Sequence, residues 1–193
     1  PKFRIGPGVP TKLVAIAPTT GSPDKKVRIR VKREDAWGNP VGAPWQVPCA
    51  APSIAGPFRT PINDSNTGLS TMTNPCIVSK QPQPGRFWAD IHGQSEETVG
   101  TNTIDSYFRF ARDRAIVDVC GHQGNDFQIT DTFWQTINDT TSRFNKDGRF
   151  IVFPGWEWSG NTGLGGDRNV FFKHEGGIIS RSSRALVEET ESR

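Results

Sequence analysis

Apolar and basic side chains alternate from Val27 to Lys32, with Val27, Ile29 and Val31 set against Arg28, Arg30 and Lys32. A period of two sends the sets to opposite sides of an extended chain, so this stretch predicts a strand with one buried face. Leu13–Ala17 predicts another short strand. Asp35-Ala-Trp-Gly-Asn-Pro40 reads as a turn, because Gly38 and Asn39 tolerate positive φ. Residues 48–85 hold seven prolines and few apolar runs, which predicts an irregular surface connection. Residues 1–85 are therefore expected to be a β-rich region shaped as a small β-sandwich.

From residue 86 the pattern changes. Arg86–Ile91 is strand-like. Ile104, Tyr107, Phe108 and Ala111 then recur at helical spacing, with Thr103 placed to cap the helix. Ala115–Cys120 reads as a buried strand. Asp131 is positioned to cap a second helix with Phe133, Trp134, Ile137 and Phe144 inward, ending at Gly148. Phe150–Phe153 and Asn169–Phe172 predict two more strands. The order β-α-β-α-β argues for parallel strands joined by crossover helices, so residues 86–193 are expected to be a domain of α/β class.

That architecture gives the ionisable residues a shared address. In parallel α/β structures the carboxyl ends of the strands form one rim, and sites are built there. Asp90 and His92 lie at the end of the first strand, His122 just past the second, and Glu157 a few residues past the third. Imidazole nitrogens and carboxylate oxygens suit zinc, manganese or iron, and such an ion activates water. Each residue also has a plain structural reading: a satisfied histidine, or a buried paired carboxylate that orders a loop. His174 falls in a polar Lys-His-Glu-Gly-Gly stretch and is expected to be exposed. Glycine-rich stretches follow the second and third strands, at Gly121–Asp126 and Gly155–Arg168. Neither is a Walker loop or a dinucleotide fingerprint. They read equally as long loops or as pocket walls, with Arg168 either clamping an anion or pairing with Asp167 or Asp126.

Composition narrows the function classes. The 193 residues carry a formal net charge of only +3 and no basic run, which argues against a nucleic-acid partner. No stretch of about 18 apolar residues predicts a membrane span. Cys49, Cys76 and Cys120 lack zinc-type spacing; a Cys49–Cys76 bridge is conceivable, and the odd count favours free thiols. The compartment stays open, with the cytoplasm ahead of the periplasm or secretion.

Four segments carry a family resemblance: Phe87-Trp-Ala-Asp-Ile-His-Gly-Gln94, Gly121-His122, Phe153-Pro-Gly-Trp-Glu-Trp-Ser159 and Asp167-Arg-Asn-Val-Phe-Phe172. Together they resemble the DUF3604 family, related to the PHP (polymerase and histidinol phosphatase) superfamily, over roughly residues 86–187. Asp90, His92, His122 and Glu157 match its motif positions. Gln94 stands where the family has a second His, Gly121 where it has an Asp, and Asp167 where many members carry a His before Arg-Asn-Val. The resemblance implies a distorted β/α barrel with clustered zinc, manganese or iron, of which this chain would hold the first units. Metal ligands would be Asp90, His92, His122, Glu157, Gln94 and Asp167, with Glu97 and Asp126 as possible substitutes. His122 and Arg168 would act in catalysis. The N-terminal strands look like a bacterial Ig-like module. A complete barrel needs more β/α units, so the remainder is expected as a second chain or a segment beyond these residues.

The expected function is metal-dependent hydrolysis of a phosphoester or a similar polar ester or amide, on a small anionic substrate. The alternative is a catalytically decayed binding or assembly protein, which the replacements at Gln94, Gly121 and Asp167 would suit.

Overall fold

The computed structural model describes residues 6–160, 163 and 165–182. Two compact units divide between Phe87 and Trp88, with Asp113–Ile116 joining the first. In the first unit, β1 (Lys12–Ile16) pairs antiparallel with β3 (Lys26–Glu34), which pairs antiparallel with β4 (Pro40–Ala50). β2 (Thr20–Gly21), β5 (Gly56–Phe58) and β8 (Cys76–Val78) form a second sheet, and β6 (Pro61–Asn63) pairs with β7 (Ser70–Met72).

The alternation in β3 is realised: Val27, Ile29 and Val31 are buried while Lys26 and Arg28 are exposed. Leu13, Ala15, Ala17, Ile62 and Cys76 close the same core. Burying each of the larger aliphatic side chains contributes about 1.5–3 kcal/mol. The turn after β3 forms around Asp35, whose carboxylate accepts hydrogen bonds from the backbone N–H of Gly8, Trp37 and Asn39 and from Asn39 Nδ2. Burial alone raises an acid's pKa, but the hydrogen bonds from Asn39, Gly8 and Trp37 outweigh it and hold Asp35 at about 2. Residues 48–85 depart from expectation. They hold four short strands, β5 to β8, and bury Ile62, Cys76 and Val78.

In the second unit, β9 (Ala89–Gly93), β10 (Val119–His122) and β11 (Ile151–Phe153) form a parallel sheet in the order β11-β10-β9. The crossovers hold α1 (Ile104–Phe110), continued by a π-type turn at Ala111–Ala115, and α2 (Asp131–Phe144). Thr103 caps α1 by accepting from Ser106 N. Thr130, not Asp131, caps α2 by accepting from Phe133 N at 3.0 Å. Removing that acceptor with Thr130→Ala should cost about 1 kcal/mol, read from urea denaturation. Phe133, Ile137 and Phe144 of α2 pack with Ile104 and Phe108 of α1 and with Cys120, Phe150 and Val152. α2 ends at Phe144, and Gly148, at φ 70°, serves the following turn to β11 instead.

The expected partial β/α barrel does not form. Among the described residues no third crossover helix follows β11. Pro154 leads straight into β12 (Gly155–Trp158), which pairs antiparallel with β13 (Arg168–Phe171). Among the described residues the parallel sheet stops at three strands, and strand outweighs helix, arranged in several small sheets with two short α-helices. Gly155 permits this crossing: a Cβ there would run into Gln123 Nε2 and Val170 O. The stretch expected to be a glycine-rich loop thus begins as a strand hairpin. All three cysteines are free thiols, and no helix among the described residues is long and apolar enough to cross a membrane.

Candidate functional site

Glu157 sits in the middle of β12, directly across from Asn169 of β13. Residues paired across an antiparallel ladder share a face, so these two side chains emerge together. The segment after β10 is stitched to the same strand: Glu157 N donates to Gly124 O at 2.9 Å, and Asn125 bridges to Glu157 in parallel fashion. His92, near the end of β9, reaches this face. Its Nε2 lies 3.7 Å from Glu157 Oε1 and its Nδ1 lies 3.1 Å from Asn169 Oδ1.

Around the carboxylate the polar contacts are specific. Asn125 Nδ2 donates to Glu157 Oε2 at 3.0 Å and to Ser159 Oγ at 2.8 Å. Gln94 Nε2 donates to the same Oε2 at 3.4 Å, and Thr98 Oγ1 donates to Gln94 Oε1 at 2.9 Å. Glu157 is 8% exposed. Burial raises its pKa, His92 opposes that, and the nearby carboxylates of Asp167 and Asp126 add to it, so the net shift is upward.

The other expected residues lie elsewhere. His122 is 0% exposed. Its Nε2 meets Ser95 Oγ at 2.8 Å, its Nδ1 accepts from Gly124 N at 3.3 Å, and its ring stands edge-on to Phe133. Both nitrogens are thus engaged inside the fold, and burial pushes its pKa down to about 3. Asp90 is exposed and neighbours Tyr107 and Cys120 rather than Glu157. Burial, opposed by a hydrogen bond with Tyr107 and helped by Asp90, pushes the Cys120 thiol up to about 12. Asp126 is buried as a structural clamp, accepting from Ser159 N and from the N–H and Oγ of Ser182. Glu97 and His174 are exposed.

Arg168 pairs across the ladder with Trp158 and holds its guanidinium 5.6 Å from that ring. It therefore takes the opposite face of the hairpin from Glu157 and Asn169. Asp167 is exposed and near enough to Glu157 to act on its charge. Among the described residues, no three His, Cys, Asp or Glu side chains gather into a metal-holding group. Of the six expected ligands Asp90, His92, His122, Glu157, Gln94 and Asp167, the structure brings His92 and Gln94 into contact with Glu157. Sequence reasoning missed Asn125, Asn169 and Ser95. Asn169 had a signal in the Arg-Asn-Val motif, whereas Asn125 and Ser95 look like ordinary loop residues.

Comparison with known proteins gives a family and a few relatives. The family model for DUF3604, described as a protein of unknown function, matches residues 68–190. The chain belongs to the DUF3604 family, and the match contains every residue of the His92–Glu157 site. An uncharacterized protein of Chlamydia pneumoniae is 26% identical over 122 residues, covering 62% of this chain and 20% of the relative. An uncharacterized protein of Chlamydia trachomatis serovar D is 29% identical over 122 residues, with the same shares. One from Chlamydia muridarum is 26% identical over 105 residues, covering 53% of this chain and 17% of the relative. The chain spans about a fifth of the length of these relatives. No solved structure matches it.

Proposed function

We propose that this chain contributes part of a metal-assisted hydrolytic site, acting on a phosphoester or a similarly polar ester or amide. The observation that carries the reading is the convergence of His92 Nε2 and Glu157 Oε1, from separate strands, to 3.7 Å. An imidazole nitrogen and a carboxylate oxygen are the donor types that zinc, manganese and iron take. Asp167 and Asp126 raise the local negative charge, which favours a cation there. The pair fits two positions of a metal centre. When bound, such an ion supplies Lewis acidity that makes water a nucleophile near neutral pH.

The chain's own residues do the rest. Asn125 and Gln94 hold one carboxylate oxygen of Glu157, and Asn169 holds one nitrogen of His92. His122 is held inside the fold by Ser95 and Gly124, and Asp90 Oδ1 accepts from His92 N at 3.4 Å.

The test is metal content by mass spectrometry, with hydrolysis of a phosphoester panel, on the full chain and on His92→Ala and Glu157→Ala. Near-stoichiometric zinc, manganese or iron should be present in the parent and lost from both variants. Hydrolysis should fall more than about 100-fold in each. A parent without metal, or variants that keep theirs, would overturn the reading.

A further inference from the structure

We infer that Asn169 is a positioning residue that fixes the tautomer of His92 and leaves its Nε2 free. Asn169 Oδ1 lies 3.1 Å from His92 Nδ1. A carbonyl oxygen only accepts, so a hydrogen bond at that distance requires the proton on Nδ1. When the ring is neutral it has one N–H, and Nε2 then carries the lone pair. That lone pair faces Glu157 Oε1 at 3.7 Å, which is too long for a direct hydrogen bond.

The carboxylate is oriented in a parallel way. Asn125 and Gln94 both donate to Glu157 Oε2, so Oε1 is the oxygen presented to His92. Two electron-pair donors are thereby aimed at one point by neutral amides. Asn169 can do this because it lies opposite Glu157 in the β12–β13 register, so the ladder that places the carboxylate also places its partner's anchor. Its predicted effect on metal affinity rests on the reading in the preceding subsection. Its effect on the tautomer does not.

The experiment is a long-range proton–nitrogen correlation spectrum of the imidazole rings in the full chain, freed of metal by chelation, followed by titration with zinc. The three histidines make a readable set. His122 Nδ1 accepts from Gly124 N, so its ring must show the Nε2–H form, and His174 is exposed as a reference. His92 should show the Nδ1–H form. Asn169→Leu should move it to Nε2–H and weaken zinc binding by about 10–100-fold, the usual cost of losing such an outer partner. Asn169→Asp, which keeps an acceptor, should retain the Nδ1–H form and bind zinc within a few-fold of the parent.

A parent His92 in the Nε2–H form, or a ring unmoved by Asn169→Leu, would overturn the inference even if zinc binds. The expected tautomers without zinc binding in any variant would support Asn169 as the positioning residue and count against the metal reading alone.

Discussion

Acidifying the protein from pH 6.5 towards pH 3 should destabilise the second unit by roughly 4–5 kcal/mol through His122 alone. The ring is fully buried and stays neutral, with a pKa lowered by burial to about 3. In the unfolded chain the same group takes up its proton near its ordinary value of 6.5. Between those limits the unfolded state binds more protons, so each falling pH unit favours unfolding by up to about 1.4 kcal/mol. The stabilisation is fully present above pH 6.5 and is gone once pH has passed through about 3.

Glu157 works the other way, because its raised pKa makes the folded state take up a proton first as pH falls, offsetting part of the loss. In the first unit Asp35, held at about 2, and Asp64, also lowered, lose their stabilisation only below the ordinary carboxylate range. The second unit should therefore yield at a higher pH than the first. Urea denaturation at successive pH values, followed by hydrogen exchange of peptides from each unit, reads this directly. His122→Gln keeps a donor for Ser95 Oγ and removes the titration, so its urea midpoint should be nearly flat from pH 6.5 to 4. A parent midpoint that is equally flat over that window would refute the buried neutral histidine.

Much of this fold is written in local pattern, and the losses have identifiable causes. β1, β3, α1 and α2 announce themselves because each is long enough for its period to repeat, and Thr103 sits where a cap belongs, whereas the α2 cap falls on Thr130, one residue before the expected Asp131. β5 to β8 have three residues each, and their strandedness comes from distant partners, such as Cys76 paired with Phe58. β12 hides for a different reason: Gly155, Trp156 and Glu157 are all buried, so no alternation marks it. The parallel order of β9, β10 and β11 follows from the β-α-β-α-β pattern. Barrel closure came only from the family resemblance and does not hold for the described chain.

The site divides along the same line. Strand ends place His92 and Glu157 near one rim, but strand position does not reveal whether a histidine turns out or in. His122 turns in, because Ser95, Gly124 and Phe133 offer it both hydrogen bonds and a ring contact. Asn125 and Asn169 gain their roles from the β12–β13 register and its bridge to the segment after β10, neither of which has a local signature.

Phe108→Ala should cost the second unit about 3–5 kcal/mol. The side chain is 0% exposed and meets Phe144 edge-on with ring centroids 5.6 Å apart, joining α1 to α2. Truncation removes both the buried area and that ring contact, and the surrounding helices cannot collapse fully onto the gap. Such a loss is a large share of the roughly 5–15 kcal/mol that holds a typical domain together. Ile29→Ala, also at 0% exposure, should cost the first unit about 2–5 kcal/mol by the same reasoning. The two cores share no residue. Hydrogen exchange should therefore rise in peptides spanning 104–112 and 131–144 for Phe108→Ala, and in peptides spanning 12–34 for Ile29→Ala. Equal loosening of both sets by either variant would mean one cooperative fold rather than two. Because His92, Glu157, Asn125 and Asn169 all belong to the second unit, only Phe108→Ala should also disturb the His92 ring signal. Ile29→Ala is then the control that separates damage to the site from damage to the chain.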